Sequence, residues 1–284
     1  MTWVIVLING ENMRQILRNF KLLTICLVLL ASTSLFGCSD TKKEVSSNLA
    51  TIVVGIDNFN PYSYLDNDGN YAGIDVELAT EAFKRIGYEA SFEVINWEDK
   101  NNLLNSGEID CIWSCYTMTG REDKYEWAGP YMYSRQVVAV KSTSDINELS
   151  DLADKRIGVQ VTTKAMNLFL HIDESDLPEV KQVNCFATTE DIFASLRKGY
   201  VDAISGHEAL INTFIQNSNG AYRLLEESPY TSELGVAFKK GTHVEIVESL
   251  NTALEEMKED GTFARIVMKY GLDENKVIWE GENK

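Results

Sequence analysis

The chain has 284 residues, 44% of them hydrophobic, and a net charge of −17 at pH 7. So acidic a surface repels nucleic acid and anionic lipid, which argues against a nucleic-acid partner, and the length suffices for one large domain or two modest lobes. Five cysteines and three histidines form no metal-spaced cluster, so neither a metal nor a cofactor is expected.

At the N-terminus Arg14, Arg18 and Lys21 precede an apolar run from Leu22 to Leu35, and Leu35-Phe36-Gly37-Cys38 follows. A basic stretch, a short apolar core and small residues at a cleavage point predict an export signal over 1–37. The run of about 14 residues falls short of the roughly 20 that span a bilayer. Residues 1–12 do not fit such a signal, and Met13 is an alternative start. Cys38 after Gly37 resembles a bacterial lipobox. That resemblance implies cleavage before Cys38, a lipid on Cys38, and residues 38–49 as a polar tether. The expected location is extracytoplasmic, anchored by lipid to the cell membrane. Cys26 leaves with the signal. Cys111, Cys115 and Cys185 then form an odd set in an exported chain, read as buried small hydrophobes rather than a disulfide framework.

Residues 51–56 are β-branched and predict a strand. DNDG at 66–69 predicts a hairpin turn between Tyr64 and Tyr71. From Asp75, apolar Val76, Ala79, Phe83 and Ile86 recur at helical steps, and Gly87 stops them. A strand at 90–95, a short helix near 100–105 and strands at 109–113 and 136–140 follow. A second series has a strand at 156–159, a helix opened by Thr162 and Thr163 running to about His171, and a strand at 181–186. Next come a helix capped by Thr188 with Asp191 and ended by Gly199, then a strand at 201–205. A strand at 234–238 precedes a helix with Val244, Val247, Leu250, Leu254 and Met257 on one face, a break at Gly261, and a helix over 262–270. Strands alternating with helices predict mostly parallel sheets covered on both faces, in two lobes.

Common catalytic signatures are missing. His171, His207 and His243 lie far apart, and His207-Glu208 opens like a zinc-protease motif but has Ile211 where a second histidine would stand. There is no Gly-rich phosphate loop and no serine elbow.

Seven segments, in one order, resemble the bacterial extracellular solute-binding proteins of family 3, the polar amino-acid-binding proteins of ABC importers. They are 55–79, SGEIDCIWSCYTMTGRE at 106–122, WAGPYM at 127–132, 149–163, KGYVDAISG at 198–206, LGVAFKKGT at 234–242 and DGTFARIVMKYG at 260–271. The resemblance covers about 51–272. It implies an α/β, periplasmic-binding-protein-like (type II) fold with two lobes joined by a two-strand hinge. Lobe one would be 51–134 and 233–284, and lobe two 135–232. It also implies a monomer that closes on a small polar ligand and hands it to an ABC transporter permease.

A sealed cleft must satisfy both charges of an amino acid. Arg121 is the expected carboxylate partner, because its planar fork matches a carboxylate. The family places this Arg three residues after a Thr; here it follows Thr119 by two. By the same resemblance Ser114 and Thr117 hydrogen-bond the ligand's polar groups. Thr162 and Thr163 would grip the carboxylate from the opposite lobe at a helix start. Phe59 and Trp97 would sandwich the side chain, with π-faces able to hold a cationic head, and Asp57 would lie beside it. The family's ammonium-binding Asp is replaced by His207, leaving two substitutes: Glu208, or a neutral nitrogen of His207. A sensor module and a cyclohexadienyl-dehydratase-like enzyme are the rival expectations. Sensory versions continue into a membrane helix and a signalling domain, and neither is expected here. The enzyme would need Glu208 or Glu77 as a general acid. No enzyme activity is expected.

Overall fold

The computed structural model describes residues 49–171 and 176–277. The export signal, Cys38 and the tether up to Asn48 lie outside the described residues. Among the described residues no helix is long and apolar enough to cross a membrane.

The chain opens with β1 (Ala50–Ile56), which pairs in parallel with β4 (Tyr88–Val94) and with β5 (Cys111–Ile112). Between β1 and β4 come a small hairpin and a helix. The hairpin joins β2 (Tyr64–Leu65) to β3 (Tyr71–Ala72). Asp66 Oδ1 closes its turn by accepting the backbone N–H groups of Asp68 (2.9 Å) and Asn70 (2.8 Å), as an Asx turn does. The helix, α1 (Ile74–Arg85), buries Ile74, Val76, Leu78, Ala79, Ala82 and Phe83. It carries Asp75 and Glu77 in its first turn and Lys84 and Arg85 in its last, in line with the helix dipole. It starts at Gly73, whose φ is 123° and where a Cβ would meet the Tyr62 carbonyl oxygen at 2.3 Å, so only glycine fits. After a 3₁₀ turn at Trp97–Asp99, α2 (Lys100–Ser106) leads back to β5.

The second lobe repeats the plan. Its strand β7 (Arg156–Gln160) lies between β8 (Gln182–Phe186) and β9 (Ala203–His207), parallel to both. Helices α3 (Lys164–Leu170), α4 (Thr189–Lys198) and α5 (Glu208–Gln216) follow β7, β8 and β9. Thr188 caps α4 as expected. Its Oγ accepts the Asp191 N–H at 3.2 Å and donates to the Asp191 carboxylate at 2.9 Å, and Gly199 ends the helix at φ 74°. The chain then returns to finish the first lobe with α6 (Val244–Glu259), α7 (Thr262–Lys269) and α8 (Glu274–Val277). Val244, placed on the buried face by periodicity, is the exposed first residue of α6.

Two long strands tie the lobes together: β6 (Tyr125–Lys141) and β11 (Tyr230–Lys239), antiparallel, with Gln136 opposite Tyr230 and Tyr125 opposite Lys239. The first half of β6 lies in the first lobe, where β11 also pairs with β5. The second half pairs with β9 and with β10 (Tyr222–Leu224). The result is one nine-stranded sheet, ordered β4-β1-β5-β11-β6-β9-β7-β8 with β10 beside β6. The expectation of mostly parallel sheets is thereby corrected. The outer parts are parallel, but β6 and β11 run antiparallel to each other, as do their pairings to β5, β9 and β10, because the chain must cross between lobes and come back.

The inner strands of each lobe are buried on both faces, the edge strands β4 and β8 are not, and the period of two is visible in the cores. In β1, Ile52, Val54 and Ile56 pack with α1, α6 and α7 residues such as Phe83, Leu250 and Phe263. Val53 points to the other cluster, with Ile95, Trp97, Leu104 and Tyr116. In β6, Val138 and Val140 join Ile157 and Leu168, while Val137 and Ala139 join Ile192 and Ile211. Cys111 and Cys115 are buried free thiols. Cys185 is exposed, against the expectation of burial; it lies near the end of β8, the edge strand of the sheet.

Candidate functional site

The cleft forms where strand ends and helix starts of the two lobes meet. Asp57, Phe59, Trp97, Ser114, Thr117, Arg121, Thr162, Thr163 and His207, all selected from the sequence, line one cavity there. Cys115, Tyr116, Gln160 and Lys164 complete the lining. Glu208 does not line it. As the first residue of α5 it turns away, faces Arg135 at 3.4 Å, and lines a separate cavity of about 580 Å³.

From the first lobe, Asp57 directly follows β1. Its N–H donates to Ser114 Oγ at 3.1 Å, and Ser114 is braced by Ser63 Oγ at 2.6 Å. Burial raises the Asp57 carboxyl above its ordinary value, opposed by the Gln160 amide and the Asn58 N–H. Arg121 is 9% exposed. Its guanidinium donates to the Thr117 carbonyl at 2.8 Å and lies 5.0 Å from the centroid of the Tyr116 ring. Trp97 stands edge-on to Tyr116, centroids 5.4 Å apart.

From the second lobe, Thr162 sits two residues past the end of β7 with φ 58°, and Thr163 caps α3. Thr163 Oγ accepts the Met166 N–H at 3.3 Å and donates to the Gln160 carbonyl at 2.7 Å. His207 ends β9 where the two long strands cross. It is 6% exposed. Its Nδ1 lies 3.0 Å from Ser134 Oγ, Gln136 Nε2 lies 3.0 Å from its Nε2, and Phe59 and Tyr62 pack around its ring. Burial, with repulsion from Arg121, lowers its pKa to about 3, so the imidazole is neutral at physiological pH. Behind the cavity Asp75 is wholly buried. It accepts the Cys115 N–H at 2.6 Å and the Tyr131 hydroxyl at 2.9 Å, and burial raises its pKa to about 7.

The lobes touch across the cleft. Gln160 Nε2 donates to Asp57 at 2.6 Å, Arg121 to the Thr162 carbonyl at 3.4 Å, and Lys100 Nζ to Thr162 Oγ at 2.7 Å. At the rim Asn58 Nδ2 donates to Glu190 at 3.3 Å. The space left is about 20 Å³, room for roughly one water. Two buried polar atoms on cleft residues, Trp97 Nε1 and Gln160 Oε1, have no hydrogen-bond partner among the described residues. Such orphans cost on the order of 1–3 kcal/mol each unless a partner arrives.

Gln160 and Lys100 were not selected from the sequence. Gln160 interrupts nothing in the apolar strand RIGVQ. Lys100 left a signal: it lies four residues before Leu104, and both are buried on one side of α2.

The profile of the bacterial extracellular solute-binding proteins, family 3, matches residues 52–273. The L-cystine-binding protein TcyA of Bacillus subtilis is 30% identical over 221 residues, which is 77% of this chain and 80% of that protein. Among solved structures, an ancestral arginine-binding protein bound to arginine matches with a TM-score of 0.72 at 30% identity, over 78% of this chain and 99% of that one. An ABC uptake transporter substrate-binding protein from Streptococcus pneumoniae with bound histidine also matches at 0.72, with 27% identity, over 78% of this chain and 93% of that one. With a two-lobed α/β fold, a cleft lined from both lobes and a profile match across nearly all the described residues, the chain belongs to the bacterial extracellular solute-binding proteins, family 3.

Proposed function

We propose that this chain captures a polar amino acid between its lobes and delivers it to an ABC transporter permease. The observation that carries the reading is the meeting of Arg121, from one lobe, with Thr162 and Thr163, from the other, at one small cavity. A ligand carboxylate taking the Arg121 fork would replace the 3.4 Å contact to the Thr162 carbonyl and join the lobes through a stronger, charge-assisted pair. The ammonium would find acceptors in the free Gln160 Oε1 and in Asp57, and in the neutral His207 ring only by displacing its contact to Ser134 or Gln136. A cavity of about 20 Å³ admits no amino acid, so entry requires the lobes to part and exit requires it again. The relatives that bind cystine, arginine and histidine support an amino acid as ligand.

In this reading lobe one comprises 51–134 and 233–284, lobe two 135–232, and the protein acts as a monomer outside the cytoplasm, held to the membrane by a lipid on Cys38. It carries out no catalysis. Neither carboxylate offered as a general acid is available in the cleft: Glu208 faces Arg135, and Glu77 accepts from Lys269 at 2.6 Å and Tyr270 at 2.5 Å. The test is a thermal-shift screen against the twenty amino acids and cystine, followed by calorimetry. At least one should raise the melting temperature in a concentration-dependent way. A flat screen, or turnover of prephenate, rejects the reading.

A further inference from the structure

Lys100 is a buried cation that the binding scheme above does not use. It is 2% exposed at the start of α2. Its ammonium donates to the Trp97 carbonyl at 2.9 Å and across the cleft to Thr162 Oγ at 2.7 Å, and stands 4.6 Å from the centroid of the Trp97 ring. The aromatic face that could have held a cationic ligand head is therefore already covered by the protein's own cation. An ammonium has three N–H groups, so one has no hydrogen-bond acceptor among the described residues, and the nearby indole N–H of Trp97 has none either. Arg121 and Lys164 line the cavity, Lys100 reaches its edge through Thr162 Oγ, and these three cations face one carboxylate on the lining, Asp57. Glu98, also near Lys100, is exposed. Burial, with a smaller contribution from repulsion by Arg121, lowers the Lys100 pKa to about 8, so a negative partner in the cleft would stabilise its charged form.

We infer that Lys100 is a specificity-determining residue, which makes the cleft select an amino acid with a second carboxylate and reject one with a cationic side chain. The inference rests on the amino-acid reading above. With Arg121 engaged by the α-carboxylate, a zwitterion leaves the Lys100 charge facing only Asp57, already bonded to Gln160. A side-chain carboxylate supplies the missing acceptor and the missing negative charge together. A guanidinium or ammonium in that place meets a desolvated like charge, which is costly.

Calorimetry on the full chain with glutamate, aspartate, cystine, glutamine, arginine and lysine tests this. An acidic amino acid or cystine should bind at least about tenfold tighter than arginine or lysine. Lys100→Met should reduce or reverse that ratio. If arginine or lysine binds the unaltered chain as tightly as the best of glutamate, aspartate and cystine, the inference falls while the amino-acid reading stands. The unaltered chain decides this much whether or not the variant folds. Equal weakening of every ligand by Lys100→Met would also overturn it, leaving Lys100 as a latch between lobes. If no amino acid binds at all, both readings fall.

Discussion

Arg121 is held before any ligand arrives: its guanidinium is pinned to the Thr117 carbonyl and stacked by Tyr116, so little freedom is lost on binding. Arg121→Ala should weaken amino-acid binding by about 2–5 kcal/mol in calorimetry, the usual cost of breaking a buried charged pair. Two buried groups give stability an unusual pH dependence. Asp75 keeps its proton up to about pH 7 when folded, against an ordinary value of 3.8. The folded state thus holds the extra proton, and stability from this group is lost as pH rises through that window. His207 takes its proton only near pH 3 when folded, against 6.5 when free. Its contribution is lost as pH falls from 6.5 toward 3. The two trends oppose each other between pH 4 and 6.5, so variants are needed to separate them. In urea titrations Asp75→Asn should abolish about 3 kcal/mol of stability loss between pH 5 and 8, and His207→Asn about 2 kcal/mol of gain between pH 5 and 6.5. Unchanged slopes would place the titration elsewhere. At this scale the sequence was most legible where residue type and family position agreed, as for Arg121 or Trp97. It misled at Glu208, because one step past a strand end, into a helix, turns a side chain to the other side of the crossing.

Elements were legible wherever periodicity and punctuation coincided. Thr188, Asp191 and Gly199 bound α4 as expected. The first half of β6 escaped because Gly129 and Pro130 break its pattern, yet there they form an irregularity in the pairing with β11 rather than an end. Helix α5 escaped because it follows β9 directly, with no loop between His207 and Glu208 to separate the two elements. The start of α1 is the most tightly constrained junction. Gly73→Ala would drive a Cβ into the Tyr62 carbonyl, and a loss of about 3 kcal/mol is expected in urea unfolding. A loss below half a kcal/mol would mean that the junction yields.

For the whole molecule, the crossing of the long strands was implied by family resemblance and not by local pattern. The antiparallel pairing at the centre of the sheet joins residues about a hundred positions apart, and nothing in a short window reports it. The proposed lipid anchor is tested at this scale too. Cys38→Ala should move the protein from the membrane fraction to the soluble one on immunoblotting; retention would point to an uncleaved helix.

The ladder from Met132–Gln136 to Tyr230–Leu234 is what both halves share. A hydrogen-bonded ribbon bends and twists with little penalty, yet sliding by one residue would flip Ser134, Gln136 and Ser232 out of their buried network with His207. The molecule can therefore swing but not shear, and each swing returns Arg121 opposite the same threonines. Selectivity in such a protein is a matter of which solutes tolerate one fixed final alignment.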